Sequence, residues 1–324
     1  MRPLKVLAAV VTAASLQLAG GAFAQQTYPT RTVKFIMPYG AASASDITAR
    51  LFADRLSARW GKPVVVENRP GGDGIVSLQA FIGAADDHTL WFGPVGILTV
   101  APYEHDTLPY DAQRDLLPIV SISDVVLAVS APASMHIDTV DQFVALARAQ
   151  PGKLNAAAAN GISDFLLFGW LRNMGLDVAK VPYRDIMQAP NDLAEQRIQL
   201  LSTSFAVVQP LMQAGRIKVL AVSSVARAPT APDIPTAKEA GYPALTFESA
   251  GGVFGPRGMS DALRQSIAAD FRAVSADPVI AKRLADIGTV MNIRGPTEFA
   301  AVIQEQRERI AGIAKVLGLK AGTQ

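Results

Sequence analysis

The 324-residue chain holds three histidines, His88, His105 and His136, and no cysteine, so its chemistry must come from oxygen, nitrogen and backbone groups. Disulfides, thiol nucleophiles and thiolate zinc sites are excluded. None of the histidines has a second histidine or a carboxylate pair at metal-ligand spacing. His88, in an Asp-Asp-His turn, and His105, between Glu104 and Asp106, read as solvated loop residues. The chain lacks a G-x-S-x-G nucleophile elbow, a phosphate-binding G-x-x-x-x-G-K and an H-E-x-x-H helix. Gly72-x-Gly74 has no third glycine at dinucleotide-fingerprint spacing and reads as a structural turn. The expectation is no catalytic residue, no metal and no cofactor.

Two loops carry more information. The first runs Pro38-Tyr39-Gly40-Ala41-Ala42-Ser43-Ala44-Ser45-Asp46, the second Ala158-Ala159-Asn160-Gly161-Ile162-Ser163-Asp164. Each joins the carboxyl end of a predicted strand to the start of a predicted helix, where open α/β sheets bind ligands. Small residues let backbone N–H groups approach a ligand, serines add hydroxyls, and the helix N-terminus carries partial positive charge. Either loop is equipped to hold a carboxylate without lysine or arginine; the serines and aspartates also suit plain N-caps.

The elements that must position these loops follow from periodicity. Thr32–Met37, Val64–Glu67 and Thr89–Phe92 read as strands, with helices over Ser45–Trp60 and Ile75–Ala84: βαβαβ in under 100 residues. The rhythm returns with strands Leu154–Ala159, Ala179–Pro182, Ile198–Ser202 and Val219–Ser223 and helices Ser163–Met174 and Ile186–Glu195. Leu117–Ala131 and Leu245–Phe254 are long β-prone stretches, and a helical tail is expected over Ser260–Val316. This describes two α/β domains joined by two extended crossover segments, with the C-terminal helices returning to the first: residues 25–124 with 248–324, and 125–247.

The first 24 residues stand apart: Arg2 and Lys5, an apolar run from Leu7 to Leu18, and Ala22-Phe23-Ala24 make a secretory signal peptide, cleaved after Ala24. Removing Arg2 and Lys5 from 30 basic residues leaves 28 against 28 acidic ones, which gives no reason to expect nucleic acid as partner. Half of the residues are hydrophobic, which excludes disorder.

Several segments resemble the substrate-binding receptors of tripartite tricarboxylate transporters, the Bug family. They are Tyr28-Pro29, the Pro-Tyr loop leading to Asp46 and Ala49-Arg50, Val65-Val66-Glu67-Asn68-Arg69-Pro70-Gly71-Gly72-Asp73-Gly74, Val181-Pro182-Tyr183, Gly215 to Val222, and Asp233-Ile234-Pro235-Thr236 with Glu239-Ala240-Gly241. The resemblance implies a two-lobed type II periplasmic-binding fold. It implies a monomeric receptor, diffusing in a Gram-negative periplasm, that closes on a small organic acid, aliphatic or aromatic, and delivers it to membrane permease subunits. Loop one, through the backbone of Ala41, Ala42 and Ala44 and the hydroxyls of Ser43 and Ser45, is then expected to take one carboxylate, with Asp46 orienting the loop or a bridging water. Asn160, Gly161, Ile162, Ser163 and Asp164 are expected at the far end, with Tyr39, Gly93, Pro94, Val95, Tyr183, Asp185, Ser204 and Phe205 shaping the cleft. Three positions depart from the family pattern: Ala41-Ala42-Ser43-Ala44 replaces paired glycines, Asp164 stands where a histidine is usual, and Arg184-Asp185 replaces Lys-Gly. A charged Asp164 close to a second carboxylate would repel it. The alternatives are a sensor presenting its closed form to a membrane signalling partner, and a secreted enzyme using Asp46 or Asp164 as general base.

Overall fold

Residues Val33–Met37 (β1), Ala44–Trp60 (α1), Val64–Asn68 (β2), Ile75–Ala84 (α2) and Thr89–Pro94 (β3) form the first block, each within a residue or two of its sequence-based bounds. The computed structural model describes residues 28–322 apart from 42, 160, 184, 229, 230, 248 and 288, so the leader expected over 1–24 lies outside the described residues. β1 pairs in parallel with both β2 and β3, so it is flanked by the two strands that follow it in the chain. Right-handed crossovers leaving a central strand in opposite directions put their helices on opposite faces of the sheet. The alternation along β1 agrees. Phe35 and Met37 pack with Phe52 and Leu56 of α1, while Ile36 packs with Leu78 and Phe81 of α2.

Val95–Glu104 (α3) and Ala112–Asp115 (α4) lead into Leu116–Val125 (β4), and Leu127–Pro132 (β5) follows after a break at the buried Val126. The single β-prone stretch expected here is thus two strands. β4 joins the first sheet, of order β11-β4-β10-β3-β1-β2, and β5 the second, of order β7-β6-β8-β5-β9. The second sheet is built from Val140–Ala149 (α5), Leu154–Ala158 (β6), Ile162–Asn173 (α6), Val178–Lys180 (β7), Ala189–Ala194 (α7), Leu200–Ser204 (β8), Phe205–Gln213 (α8) and Ile217–Val222 (β9). Here β6 plays the part of β1, in parallel register with β7 and β8 on its two sides.

The chain returns to the first sheet through Ser249–Pro256 (β10), Asp261–Ser275 (α9), Pro278–Asp286 (α10), Thr289–Arg294 (β11) and Pro296–Leu317 (α11). β11 corrects the expected helical tail: the β-branched run Thr289-Val290 pairs antiparallel with the outer edge of β4. The helix expected over Ile186–Glu195 is a 3-10 turn, Ile186–Gln188, followed by the short α7 with Pro190 in its first turn. The strand expected over Ile198–Ser202 is shifted two residues onward. At β10, Gly252 lies so close to its neighbours that an added Cβ would stand 2.4 Å from the Val120 carbonyl oxygen and 2.5 Å from the Phe299 ring.

The two sheets are tied together on one side. Val100, Leu127, Ile162, Phe165, Leu166, Phe247, Ile310 and Ala314 form one apolar cluster drawn from both halves. Gly169 of α6 faces Ile313 of α11 with no room for a Cβ, and Arg172 Nη1 donates to the Leu317 carbonyl at 2.8 Å.

Phe271 of α9 is fully buried, its ring 5.9 Å from that of Phe35 and 5.5 Å from that of Phe52. Phe271→Ala is expected to cost about 3–5 kcal/mol, read as a lowered midpoint in urea at unchanged slope. A loss below about 1 kcal/mol would mean that α9 does not hold the first core together.

Candidate functional site

Both loops singled out in the sequence leave their sheets at a topological switch point, β1 between β2 and β3 and β6 between β7 and β8. Each leads into a helix N-terminus, at Ala44 in loop one and at Ile162 in loop two.

In loop one, the Ser43 hydroxyl accepts the Asp46 N–H at 3.2 Å, so Ser43 is the N-cap of α1. The next N–H, that of Ile47, donates to the Ser43 carbonyl at 2.9 Å. Ala44 and Ser45, the first two helical residues, are left with N–H groups that have no intrahelical acceptor. Asp46 is 2 % exposed, and its carboxylate is held from two sides. Arg50 Nε donates to Oδ2 at 3.0 Å and Asn68 Nδ2 to Oδ1 at 2.9 Å. Asn68 Nδ2 also donates to the Tyr39 carbonyl at 2.8 Å, and Arg50 Nη2 to Asn68 Oδ1 at 3.0 Å. This hydrogen bonding to Asp46 is the largest cause that raises the Arg50 pKa. Asn68 thus links Asp46 to the loop backbone at Tyr39; the parts of Asn68 and Arg50 were not read as site functions from the sequence. Ala41 is exposed, and Ala42 lies outside the described residues.

Loop two repeats the plan. Gly161 precedes α6 with φ 76° and ψ −128°, a backbone conformation that a Cβ strains. Ile162 and Ser163 are the first two helical residues, and their N–H groups likewise have no intrahelical acceptor. The Asp164 N–H donates to the Ala159 carbonyl at 3.0 Å. Asp164 is the third residue of its helix, as Asp46 is of α1. Its carboxylate meets Lys180 Nζ at 2.6 Å, and the same ammonium stands 5.0 Å over the Phe168 ring. Lys180 is brought there because β7 runs parallel to β6 with Lys180 opposite Ala156. Nothing in the sequence reveals that register, so this partner was missed. Asn160 lies outside the described residues.

The remaining expected contacts divide. Tyr39 is 38 % exposed, and desolvation by the protein around it pushes its phenol up to about 12. Pro94 and Ser204 are half-buried at the ends of β3 and β8, and Gly93 lies flat against Trp91, whose ring atoms would stand 2.5 Å from an added Cβ. Val95 and Phe205, at 0 % and 1 % exposure, have side chains buried in apolar cores rather than exposed on a surface. The Tyr183 hydroxyl donates to Asp192 Oδ2 at 2.7 Å, and Asp185 caps the Met187 N–H at 3.0 Å, so both polar groups are engaged within their own segment. His88 is a correction, being 6 % exposed rather than solvated. Its Nε2 accepts the Thr30 N–H at 3.0 Å. It also forms, with Asp86 and Asp87, a group of ligand-type atoms within 4.8 Å of one another, which the sequence reading did not anticipate. Those groups already serve the turn: Asp86 accepts the His88 N–H and pairs with Arg31.

Where the two halves approach, Glu104 at the end of α3 is exposed to solvent, yet the protein around it raises its carboxyl pKa. Burial is the largest cause; Asp73 and Asp164 add to it, and His105 and Lys180 oppose it. A carboxyl whose pKa is raised on folding lends stability that is full below its unfolded pKa and is lost as pH rises through the folded value. Glu104→Gln is therefore expected to raise the melting temperature at pH 7 and to leave it nearly unchanged at pH 4. The opposite ranking would mean that Glu104 is held as a stabilised anion.

The model of the tripartite tricarboxylate transporter family receptor matches residues 48–319. A UPF0065 protein of Bordetella bronchiseptica is 29 % identical over 296 residues, covering 91 % of this chain and 88 % of its own. BugT of Bordetella pertussis is 26 % identical, over 91 % of each chain. Among solved structures, an R. palustris protein with adipate shares 27 % identity and a TM-score of 0.76, covering 92 % of this chain and all of the other. MatC of Rhodopseudomonas palustris, with bound malate, shares 25 % and 0.73, covering 88 % and 99 %.

Proposed function

Because the chain belongs to the tripartite tricarboxylate transporter receptor family, and is thus a solute-binding receptor and not an enzyme, we propose that it captures a small aliphatic dicarboxylate between two lobes. The observation that carries this reading is the doubled arrangement at the switch points: two helix N-termini, one per sheet, each with its first two N–H groups free of intrahelical acceptors. One carboxylate is taken by the N–H groups of Ala44 and Ser45, with the Ser45 hydroxyl beside them. The other end meets the N–H groups of Ile162 and Ser163. Asp164 does not oppose a second carboxylate with a full charge, since Lys180 neutralises it at 2.6 Å. Malate and adipate, found with two related proteins, are acids of this class.

The lobes in this reading are residues 25–124 with 248–324, and 125–247. The break between β4 and β5 and the passage from β9 to β10 support these bounds. Closure about those two crossovers buries the ligand and creates the surface that permease subunits read. The leader-like first 24 residues support export to the periplasm, and among the described residues no helix is long and apolar enough to cross a membrane.

Thermal unfolding against malate, adipate and their diamides tests the ligand class. A ligand at 100 times its dissociation constant adds about 2.7 kcal/mol of stability, a shift easily seen. A shift with a diacid and none with its diamide is expected; no shift with any acid, or a larger one with amides, overturns the reading.

Ala44→Pro tests the site. Proline fits the first position of a helix and removes the N–H assigned to the ligand. Ser43, with φ −66° and ψ 157°, already has the backbone that a following proline requires. One lost bond to a charged group is worth about 1.5–3 kcal/mol, so binding of the acid should weaken by roughly 10- to 150-fold with little change in melting temperature of the free protein. Unchanged affinity would move the carboxylate away from loop one.

A further inference from the structure

Away from both loops, a cavity of about 210 Å³ lies between the segment that follows β9 and the helix α11. Its walls are Val225, Thr246 and Phe247 on one side and Val302, Glu305, Gln306 and Arg309 on the other. The apolar part is formed by Val225, Phe247 and Val302. The polar part has one charge of each sign, one helical turn apart. Arg309 lies with its guanidinium carbon 5.5 Å over the Phe247 ring, and its Nη2 donates to the Pro243 and Ala244 carbonyls at 3.3 and 2.8 Å. Those two bonds fix the guanidinium in place and use one of its three nitrogens. Glu305 is exposed and close enough to act on the Arg309 charge, yet among the described residues neither side chain closes an ion pair. The Thr246 hydroxyl is buried with no hydrogen-bond partner.

Two opposite charges held apart at one rim, an apolar floor and an unsatisfied hydroxyl describe the complement of a small zwitterion. We propose that this cavity is a second binding site, separate from the carboxylate site of the two loops, for a small α-amino acid with a compact apolar side chain. The carboxylate takes the remaining donors of Arg309, the ammonium faces Glu305, and the side chain lies on Phe247 and Val302. At about 210 Å³ the cavity is ample for an amino acid of valine's size, and its apolar lining of Val225, Phe247 and Val302 suits a compact aliphatic side chain.

Isothermal titration calorimetry of the whole protein with L-valine is the test, with isovalerate and isobutylamine as analogues lacking the ammonium or the carboxylate. Valine is expected to bind, both analogues to bind at least tenfold more weakly, and Glu305→Gln and Arg309→Gln each to weaken valine tenfold or more while Ala44→Pro leaves it unchanged. Arg309 also holds the chain at residues 243–244, so that variant is checked for folding by its melting curve. The exposed Glu305 has no such structural duty and suffices alone. The proposal is overturned by an absence of heat with valine, by analogues that bind as well, by valine binding that survives Glu305→Gln, or by its loss in Ala44→Pro, which would assign it to the loops.

Discussion

The buried Asp46 carboxylate is the constraint on which the first loop depends. A charge at 2 % exposure must be fully hydrogen-bonded, and the three donor contacts from Arg50 and Asn68 meet that demand while fastening helix, strand and loop to one another. Asn68 ends β2, Asp46 and Arg50 begin α1, and the Tyr39 carbonyl belongs to the loop between β1 and α1. The shape of a loop rich in small residues, which has little side-chain packing of its own, is thus set from beneath by one polar knot. Its cost in desolvation is offset by what it fixes: the direction in which the first N–H groups of α1 point.

The sheets supply the rest of the positioning. A central parallel strand flanked by both of its successors forces the neighbouring helices to opposite faces, and the gap this leaves at the strand's carboxyl end is where the loop emerges. The chain uses this device twice, at β1 and at β6, and connects the two sheets through adjoining strands on either side of Val126. The apolar cluster around Ile162, Phe165 and Ile310 then holds the second loop's helix against the first half of the molecule.

Much of this could be read from residue order. The βαβαβ rhythm depends on local periodicity, so β1, α1, α2 and β6 fall close to their expected bounds, and the strand-to-helix loops could be located before any contact was known. What could not be read depends on register and on distant pairing. β11 is short and half-buried, and only its pairing with β4 distinguishes it from the helices around it. Val95, Phe205 and His88 are residue types that suit a cleft, a core or a solvated turn equally, and burial alone decided among them. Lys180 lies 16 residues beyond Asp164 with no helical or strand spacing to link them; the parallel register of β6 with β7 makes them neighbours.

The two helices share a further feature whose logic is electrostatic. An aspartate at the third position of a helix ordinarily answers the positive end of the helix dipole, an interaction worth about 0.3–1 kcal/mol at an exposed end. Such an aspartate would also repel an incoming carboxylate. In α1 that position is Asp46, and in α6 it is Asp164; each carries its own cation, Arg50 for one and Lys180 for the other, drawn from outside the loop. The N–H of each aspartate is likewise engaged, by the Ser43 hydroxyl or by the Ala159 carbonyl. The aspartates thus order the helix start without presenting an uncompensated negative charge beside it. The two N–H groups ahead of each remain as the least satisfied donors of the site. In the proposed site, an anion held by both loops would gain from both dipoles at once, and a neutral molecule of the same shape would not.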